Sequence, residues 1–151
     1  MLVLITWLVL NNMFKEKLKE LLDEKQMYGS KLAREAHFGS KSTIYKWLRG
    51  EQLPKIDNAI KLRQYFNCSL DYLFGNASFE EAKGKIVSTF STQLKKILKS
   101  KKITQQKLFE DLNLSSNNAK WHKLNSNLRM DTVIKIANYL NVSIDYLVGI
   151  E

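Results

Sequence analysis

The segment SKSTIYKWLRG, residues 40–50, places hydrogen-bonding and basic side chains around an apolar pair, Ile44 and Trp47. If it is helical, the apolar pair faces inward and most of the polar residues face outward. Lys and Arg can donate to guanine acceptors or phosphate oxygens, and hydroxyl groups suit phosphates or base edges. This chemistry is that of nucleic-acid contact. The candidate residues are Ser40, Lys41, Ser42, Thr43, Tyr45, Lys46 and Arg49.

A second short helix is predicted just before this segment, over YGSKLAREA. Leu32, Ala33 and Ala36 can face inward from it. The connection His37-Phe38-Gly39-Ser40 supplies a flexible glycine and then a serine placed to cap the next helix. Two helices joined in this way have the form of a helix-turn-helix, in which the first helix braces a second whose outer face is free to enter a major groove.

The whole unit occurs twice. Aligning Phe14 with Phe90 matches one helical stripe with another at a constant offset, and SLDYLFG at 69–75 is echoed by SIDYLVG at 143–149. Each copy contains about sixty residues and predicts helices at three and four residue spacing, without an alternating strand pattern. Asn12 and Ser88 stand where the N-caps of the two first helices are expected.

The second copy offers a different set of polar residues. Thr104 can cap its second helix, TQQKLFEDL, and Gln105 lies at the start of that helix. In its third helix Trp121 and Leu124 face the core. Asn is the side chain that reads adenine with two hydrogen bonds, which favours Asn118 as a base-reading residue. The candidate DNA-contacting residues of this copy are Gln105, Asn117, Asn118, Lys120, His122 and Lys123.

Both copies resemble the helix-turn-helix domain of the XRE family, the lambda-repressor and Cro-like regulators. SKLAREA, SKSTIYKWLRG, NAIKLRQYF and SLDYLFG carry the resemblance in the first copy, whereas the second keeps its fourth helix and its ending but has no S-T-I. The resemblance implies an all-α protein of two tandem lambda-repressor-like helix-turn-helix domains, about five short helices each. It also implies a bacterial or phage protein of the cytoplasm whose partner is double-stranded DNA.

Two departures from the family pattern bear on function. The family often has a phosphate-bonding Gln at the first position of the second helix; Gln105 fits this role, whereas the first copy has Gly29. Both turns also look longer than the family's usual one. The second copy therefore either reads bases, or has changed toward dimerisation or plain backbone contact.

Charge and composition agree with a polyanionic partner. The 151 residues include 24 Lys and Arg against 15 Asp and Glu, a formal net charge of +9. The excess is +4 over residues 1–76 and +5 over 77–151, so each half is basic by itself. The single cysteine, Cys68, is expected to be a buried thiol, and it allows no internal disulfide.

Domain boundaries follow from the repeat. We expect an apolar extension at 1–12, a first domain at 13–75, a linker at 76–89 and a second domain at 90–151. The run MLVLITWLVL is too short to span a membrane, so stable insertion is not expected. Three interpretations of it remain: translation from an upstream start with Met13 as the natural first residue, an arm docked on the fold or on a second subunit, or a weak membrane-surface tether.

No motif for catalysis, metal or cofactor binding is present. The chain has no Gly-rich phosphate loop and no Cys and His pair at nucleophile spacing, and His37 and His122 are too few for a metal site. The sequence thus predicts a non-enzymatic, sequence-specific regulator, a repressor that occupies an operator, with a homodimer as a further candidate assembly. The alternative is a protein-interaction module, an antitoxin-like or anti-regulator partner whose second domain serves dimerisation.

Overall fold

The computed structural model describes residues 2–75, 77–114 and 127–151. These residues form nine α-helices and no β-strand, which confirms the all-α prediction. The helices are α1 Leu2–Glu24, α2 Gly29–Glu35, α3 Lys41–Leu48, α4 Ile56–Phe66, α5 Leu70–Phe74, α6 Phe90–Lys101, α7 Gln105–Asp111, α8 Met130–Leu140 and α9 Ile144–Leu147.

The chain divides into two compact units. The first comprises Met1–Ala82 with Arg129–Asp131, and the second comprises Lys83–Leu128 with Thr132–Glu151. Helices α1 to α5 lie in the first unit, whereas α6, α7, α9 and most of α8 lie in the second.

The first helix is longer than its amphipathic stripe predicts. Asn12 is not an N-cap, because α1 runs without interruption from Leu2 to Glu24. The preceding residues contain no Pro or Gly to stop a helix, and the side-chain amide of Asn11 donates to the Trp7 carbonyl at 2.9 Å inside the helix. Leu8 and Val9 are 52% and 49% exposed on this extension. Although α1 has 23 residues, no helix in the described residues is both long and apolar enough to cross a membrane.

The cap of the sixth helix lies one residue beyond the predicted position. Thr89, not Ser88, is the N-cap of α6, and its hydroxyl oxygen accepts from the Thr92 backbone N–H at 3.1 Å. Ser88 instead donates its hydroxyl to the Thr89 carbonyl. Both residue types can cap, so the pattern alone did not distinguish the two neighbours.

The core of the first unit is aromatic. The rings of Phe14 and Phe74 are stacked with centroids 4.8 Å apart, and Phe14 meets Trp47 edge-on at 6.2 Å. Leu70 and Leu73 of α5 are fully buried, and so is Cys68. The last helix of the unit therefore packs into the same core that supports α3.

The repeated seven-residue endings have the same local structure. Ser69 caps α5 by accepting from the Tyr72 N–H at 3.0 Å, and Ser143 caps α9 by accepting from the Tyr146 N–H at 3.1 Å. In each unit two aliphatic residues of the short helix are buried: Leu70 and Leu73 in α5, and Ile144 and Leu147 in α9.

Gly149 follows α9 where no other residue fits. Its φ of +101° lies in the region that favours glycine, and a Cβ there would lie 2.1 Å from the Ser88 carbonyl oxygen. The close approach allows the strand-like pairing of the C-terminus, in which the Val87 N–H donates to the Gly149 carbonyl at 2.8 Å.

The segment between the repeats is bound at both ends. Its first part pairs with the first unit, since the Ser69 N–H donates to the Glu80 carbonyl at 2.9 Å and the Ala82 N–H donates to the Asn67 carbonyl at 3.2 Å. Its second part pairs with the second unit, where Lys85 and Glu151 exchange backbone hydrogen bonds at 2.9 and 3.0 Å. These bonds fix most of the segment to one unit or the other.

A tyrosine and a carboxylate join two helices in each unit, α2 with α4 and α7 with α8. The Tyr65 hydroxyl of α4 donates to Glu35 of α2, and the Tyr139 hydroxyl of α8 donates to Asp111 of α7. The bond to Glu35 raises the pKa of Tyr65 to about 12, and the same bond lowers the pKa of Glu35. The repeat has therefore kept a tertiary hydrogen bond as well as its apolar stripes.

We expect this bond to appear in an alkaline titration. Because the folded pKa of Tyr65 lies above its ordinary value of 10, the bond stabilises the fold fully below pH 10 and is lost as the pH rises toward 12. Phenolate absorbance should show a late-titrating tyrosine that is missing in Tyr65→Phe. In Glu35→Gln, the pKa of Tyr65 should move back toward 10, and an unchanged late step in both variants would contradict the assignment.

Candidate nucleic-acid interface

The third helix begins at a serine cap. The hydroxyl oxygen of Ser40 accepts from the Ser42 N–H at 3.2 Å, and the hydroxyl groups of Ser40 and Ser42 lie 2.8 Å apart. The cap satisfies a backbone donor that the first turn of α3 would otherwise leave without a partner. It also places both hydroxyl groups in solvent at the start of the helix.

The inner face of α3 is held in the core. Ile44 is fully buried and Trp47 is 1% exposed, which confirms that this tryptophan is a core residue. The Trp47 ring meets Phe38 edge-on at 5.4 Å, so the connection between α2 and α3 also anchors the helix. Aromatic pairs of this geometry are worth about 0.5–1.5 kcal/mol beyond the area they bury.

The outer face of α3 is polar and open to solvent. Tyr45 is 36% exposed and Thr43 is half-buried. The remaining predicted residues of the first copy are all exposed: Ser40, Lys41, Ser42, Lys46 and Arg49. A buried aliphatic and aromatic face thus supports a row of hydrogen-bond donors, as direct base reading by a helix requires.

Gly29 explains how α2 approaches this helix. A Cβ at Gly29 would lie 3.0 Å from Cγ2 of Ile44, which is too close unless one of the two residues shifts. It would lie 3.5 Å from Cζ of Tyr45, which is an ordinary contact distance. Glycine at the position where the family often has Gln therefore lets the first turn of α2 lie directly against α3. The neighbouring N-cap, Tyr28, is 82% exposed and makes no capping bond with its side chain.

Arg49 is already engaged by a neighbouring carboxylate. Its guanidinium donates to Glu51 from Nε at 2.7 Å and from Nη2 at 3.3 Å. This two-point bond lowers the pKa of Glu51 and raises that of Arg49. Sequence reasoning did not select Glu51, because an acidic residue just beyond a basic helix gives no indication of where its side chain points.

Glu51→Gln is expected to strengthen DNA binding. The substitution frees the Arg49 guanidinium and removes a negative charge beside the proposed phosphate surface. Exposed ion pairs of this kind contribute about 0.2–1 kcal/mol. We expect up to about fivefold tighter binding in a fluorescence-anisotropy titration with labelled duplex. Glu16→Gln, at an exposed position of α1, is the charge-matched control. Weaker binding by Glu51→Gln would mean instead that the carboxylate holds Arg49 in its binding orientation.

The second unit shows part of the corresponding surface. Thr104 caps α7 by accepting from the Lys107 N–H at 3.1 Å, and Gln105 is the half-buried first residue of that helix, both as predicted. The other candidates of this copy lie outside the described residues: Asn117, Asn118, Lys120, His122 and Lys123. Trp121 also lies outside them.

The described residues contain no group of three or more His, Cys, Asp or Glu side chains that could hold a metal ion. His37 is an exposed turn residue with φ of +58° between α2 and α3. Its backbone carbonyl accepts from the Lys61 ammonium at 3.1 Å, so His37 takes part in the structure of the turn.

Comparison with known families agrees with this geometry. Residues 18–73 match the model of a helix-turn-helix family, and residues 93–151 match that of the Cro/C1-type HTH DNA-binding domain. No curated protein and no solved structure matches the chain. The protein is thus a DNA-binding transcriptional regulator of the helix-turn-helix class, a class whose members are typically not enzymes.

The chain belongs to the XRE family, with two tandem helix-turn-helix domains. The second copy has lost the S-T-I motif, yet it matches the Cro/C1-type domain over residues 93–151. Helix α8 and the ending SIDYLVG, which keep the family pattern, lie within that match.

Proposed function

We propose that the protein is a sequence-specific repressor that occupies an operator overlapping a promoter, in the cytoplasm of a bacterial or phage-infected cell. The observation that carries the proposal is the two-sided character of α3. Ile44 and Trp47 fix the helix to the core, while Lys41, Ser42 and Lys46 are exposed to solvent on the same helix.

Affinity and sequence choice come from different residues in this proposal. Lysine and arginine contacts to phosphate supply most of the binding energy and make it depend on salt. Ser42 in the first turn of α3 and Tyr45 and Lys46 further along it are proposed to contact base edges. Ser40 and Arg49, which cap the two ends of the helix, are proposed to contact phosphates.

Selection of bound duplexes from a random pool tests sequence specificity. We expect an enriched motif, and anisotropy titrations at several salt concentrations should then show tighter binding to that motif than to random duplex. A pool that stays random would contradict sequence-specific binding. No detectable binding at low salt would instead favour a protein-interaction module.

Transcription in vitro tests the regulatory sign. The selected motif is placed either across a promoter or well upstream of it on otherwise identical templates. Operator occupation predicts that added protein lowers transcript only from the first template, because only there does it exclude the polymerase. Increased transcript, or equal loss from both templates, would contradict the proposed mechanism.

A further inference from the structure

The first helices of the two units end in the same way but carry different charges. Gln26 and Lys102 both have positive φ, 51° and 57°. The Met27 N–H donates to the Leu22 carbonyl at 3.0 Å, and the Ile103 N–H donates to the Leu98 carbonyl at 3.0 Å. The offset of 76 residues that aligns the two stripes therefore also relates the two positive-φ residues and the two hydrogen bonds that follow the helices.

The charge on these helices is not repeated. Residues 14–26 contain four Lys and four acidic residues, whereas residues 90–102 contain five Lys and no acidic residue. Asp23 of α1 corresponds to Lys99, Glu20 corresponds to Lys96, and the cap Gln26 corresponds to Lys102. Because the same backbone forms with either set, packing does not require the lysines of α6.

These lysines stand apart from acidic partners. Lys99, Lys101 and Lys102 are exposed, and none of them forms an ion pair within the part of the chain that the structure describes. Two carboxylates of this unit are bonded to other lysines: Asp111 to Lys107 at 2.9 Å and Glu151 to Lys96 at 3.2 Å. The end of α6 therefore has an uncompensated positive charge.

Chain geometry sets this charge beside a predicted contact residue. Helix α6 ends at Lys101, Thr104 caps α7, and Gln105 begins α7 three residues after the Lys102 cap. The lysine end of α6, defined as Lys99, Lys101 and Lys102, thus flanks the start of α7. A lysine is a flexible point charge, which suits phosphate oxygens better than the fixed geometry of base edges.

We infer that the lysine end of α6 is a surface for the phosphate backbone of duplex DNA, and that these lysines add affinity without adding sequence choice. The inference rests on the proposed DNA-binding function and extends it. In the second unit this phosphate contact lies at the junction of α6 and α7, beside Gln105.

Favourable interaction with the helix dipole is the competing explanation. Lysines in the last turn of a helix are each worth about 0.3–1 kcal/mol when exposed, with no DNA involved. That role predicts an effect on thermal stability and none on the salt dependence of DNA binding. The two explanations are therefore separated by measuring both quantities in the same full-length variants.

The test uses three variants of the full chain. Lys99→Gln, Lys101→Gln and Lys102→Gln are combined in one, and the same three positions are changed to Arg in the second. Gln is compatible with the cap because Gln26 occupies the equivalent position with φ of 51°. The control combines Lys19→Gln, Lys85→Gln and Lys135→Gln, which removes the same net charge elsewhere. Circular dichroism confirms that each variant is folded.

The salt dependence of binding is the main readout. Each lost phosphate contact lowers the slope of log K against log salt by about 0.9, so we expect the Gln variant to lose about 1 to 3 in slope. The Arg variant should keep the wild-type slope, and the control should change it by less than half as much. The ratio of affinities for selected and random duplex should stay the same in all variants, because phosphate contacts carry no sequence information.

Failure takes two distinguishable forms. If the wild type binds duplex but the Gln variant keeps its slope, or loses no more than the control, the lysine end of α6 is not a DNA surface although the proposed function stands. A changed ratio between selected and random duplex would show that these lysines read bases, which also overturns the inference. If the wild type binds no duplex at all, the proposed function fails and the inference fails with it.

Discussion

Replacing Lys41 and Lys46 together with alanine is expected to weaken DNA binding at least about thirtyfold. Each good contact to a base or phosphate is worth about 1–3 kcal/mol, and 1.4 kcal/mol corresponds to a factor of ten. Both side chains are exposed on α3, and neither takes part in the packing of Ile44 and Trp47 against the core. The loss should therefore appear in binding and leave the fold intact.

Anisotropy titration with the selected duplex measures this effect. Lys19→Ala with Lys85→Ala is the matched control, since it removes the same charge from exposed positions off α3. If the two double variants weaken binding equally, net charge alone governs affinity, and α3 is not the binding surface. Unchanged binding by Lys41→Ala with Lys46→Ala would reject the assignment of α3 outright.

Trp47→Ala is expected to unfold the first unit or bring it close to unfolding. Removing a buried Trp or Phe side chain costs about 3–5 kcal/mol, and small domains are stable by only about 5–15 kcal/mol in total. Trp47 is 1% exposed and contacts both Phe14 and Phe38, so the substitution empties the centre of the aromatic core. Loss of the core also removes the support of α3.

Urea unfolding followed by circular dichroism checks this prediction. Tyr45→Ala serves as the comparison on the same helix, because Tyr45 is 36% exposed and its removal should cost much less stability. We expect Trp47→Ala to lose both the unfolding transition of the first unit and DNA binding, and Tyr45→Ala to lose binding alone. A Trp47→Ala protein with nearly unchanged stability would contradict the role given to this ring.

Much of the fold could be predicted because its signals are local. The three-residue spacing of Ile44 and Trp47, close to one helical turn, predicts which side of α3 is buried, and Ser40 and Thr104 cap their helices where the pattern placed them. The limit of such signals shows at Asn12, where a capping residue type lies inside a continuous helix. Capping preference is weak compared with the hydrogen bonds gained by extending a helix that nothing interrupts.

The candidate site was predicted less completely than the fold. The exposed positions on α3 follow from periodicity, but the bond between Arg49 and Glu51 depends on how the chain turns after the helix, which no spacing rule records. The proposed role of Asn118 stays a prediction, since that residue lies outside the described ranges. The hydrogen bonds from Tyr65 to Glu35 and from Tyr139 to Asp111 could not be predicted from the sequence, because each joins residues about thirty positions apart.

The amino-acid sequence by itself determined that the protein is an all-α duplication with a helix-turn-helix in each copy, because repetition, periodicity and capping are properties of neighbouring residues. Only the tertiary structure decided that Gly29 lets α2 lie close to Ile44 of α3, that the segment between the repeats is bound to both units, and that the lysines ending α6 form no ion pair within the described residues. Such features depend on distances between residues remote in the chain. Those distances are set by packing, which a linear pattern does not contain.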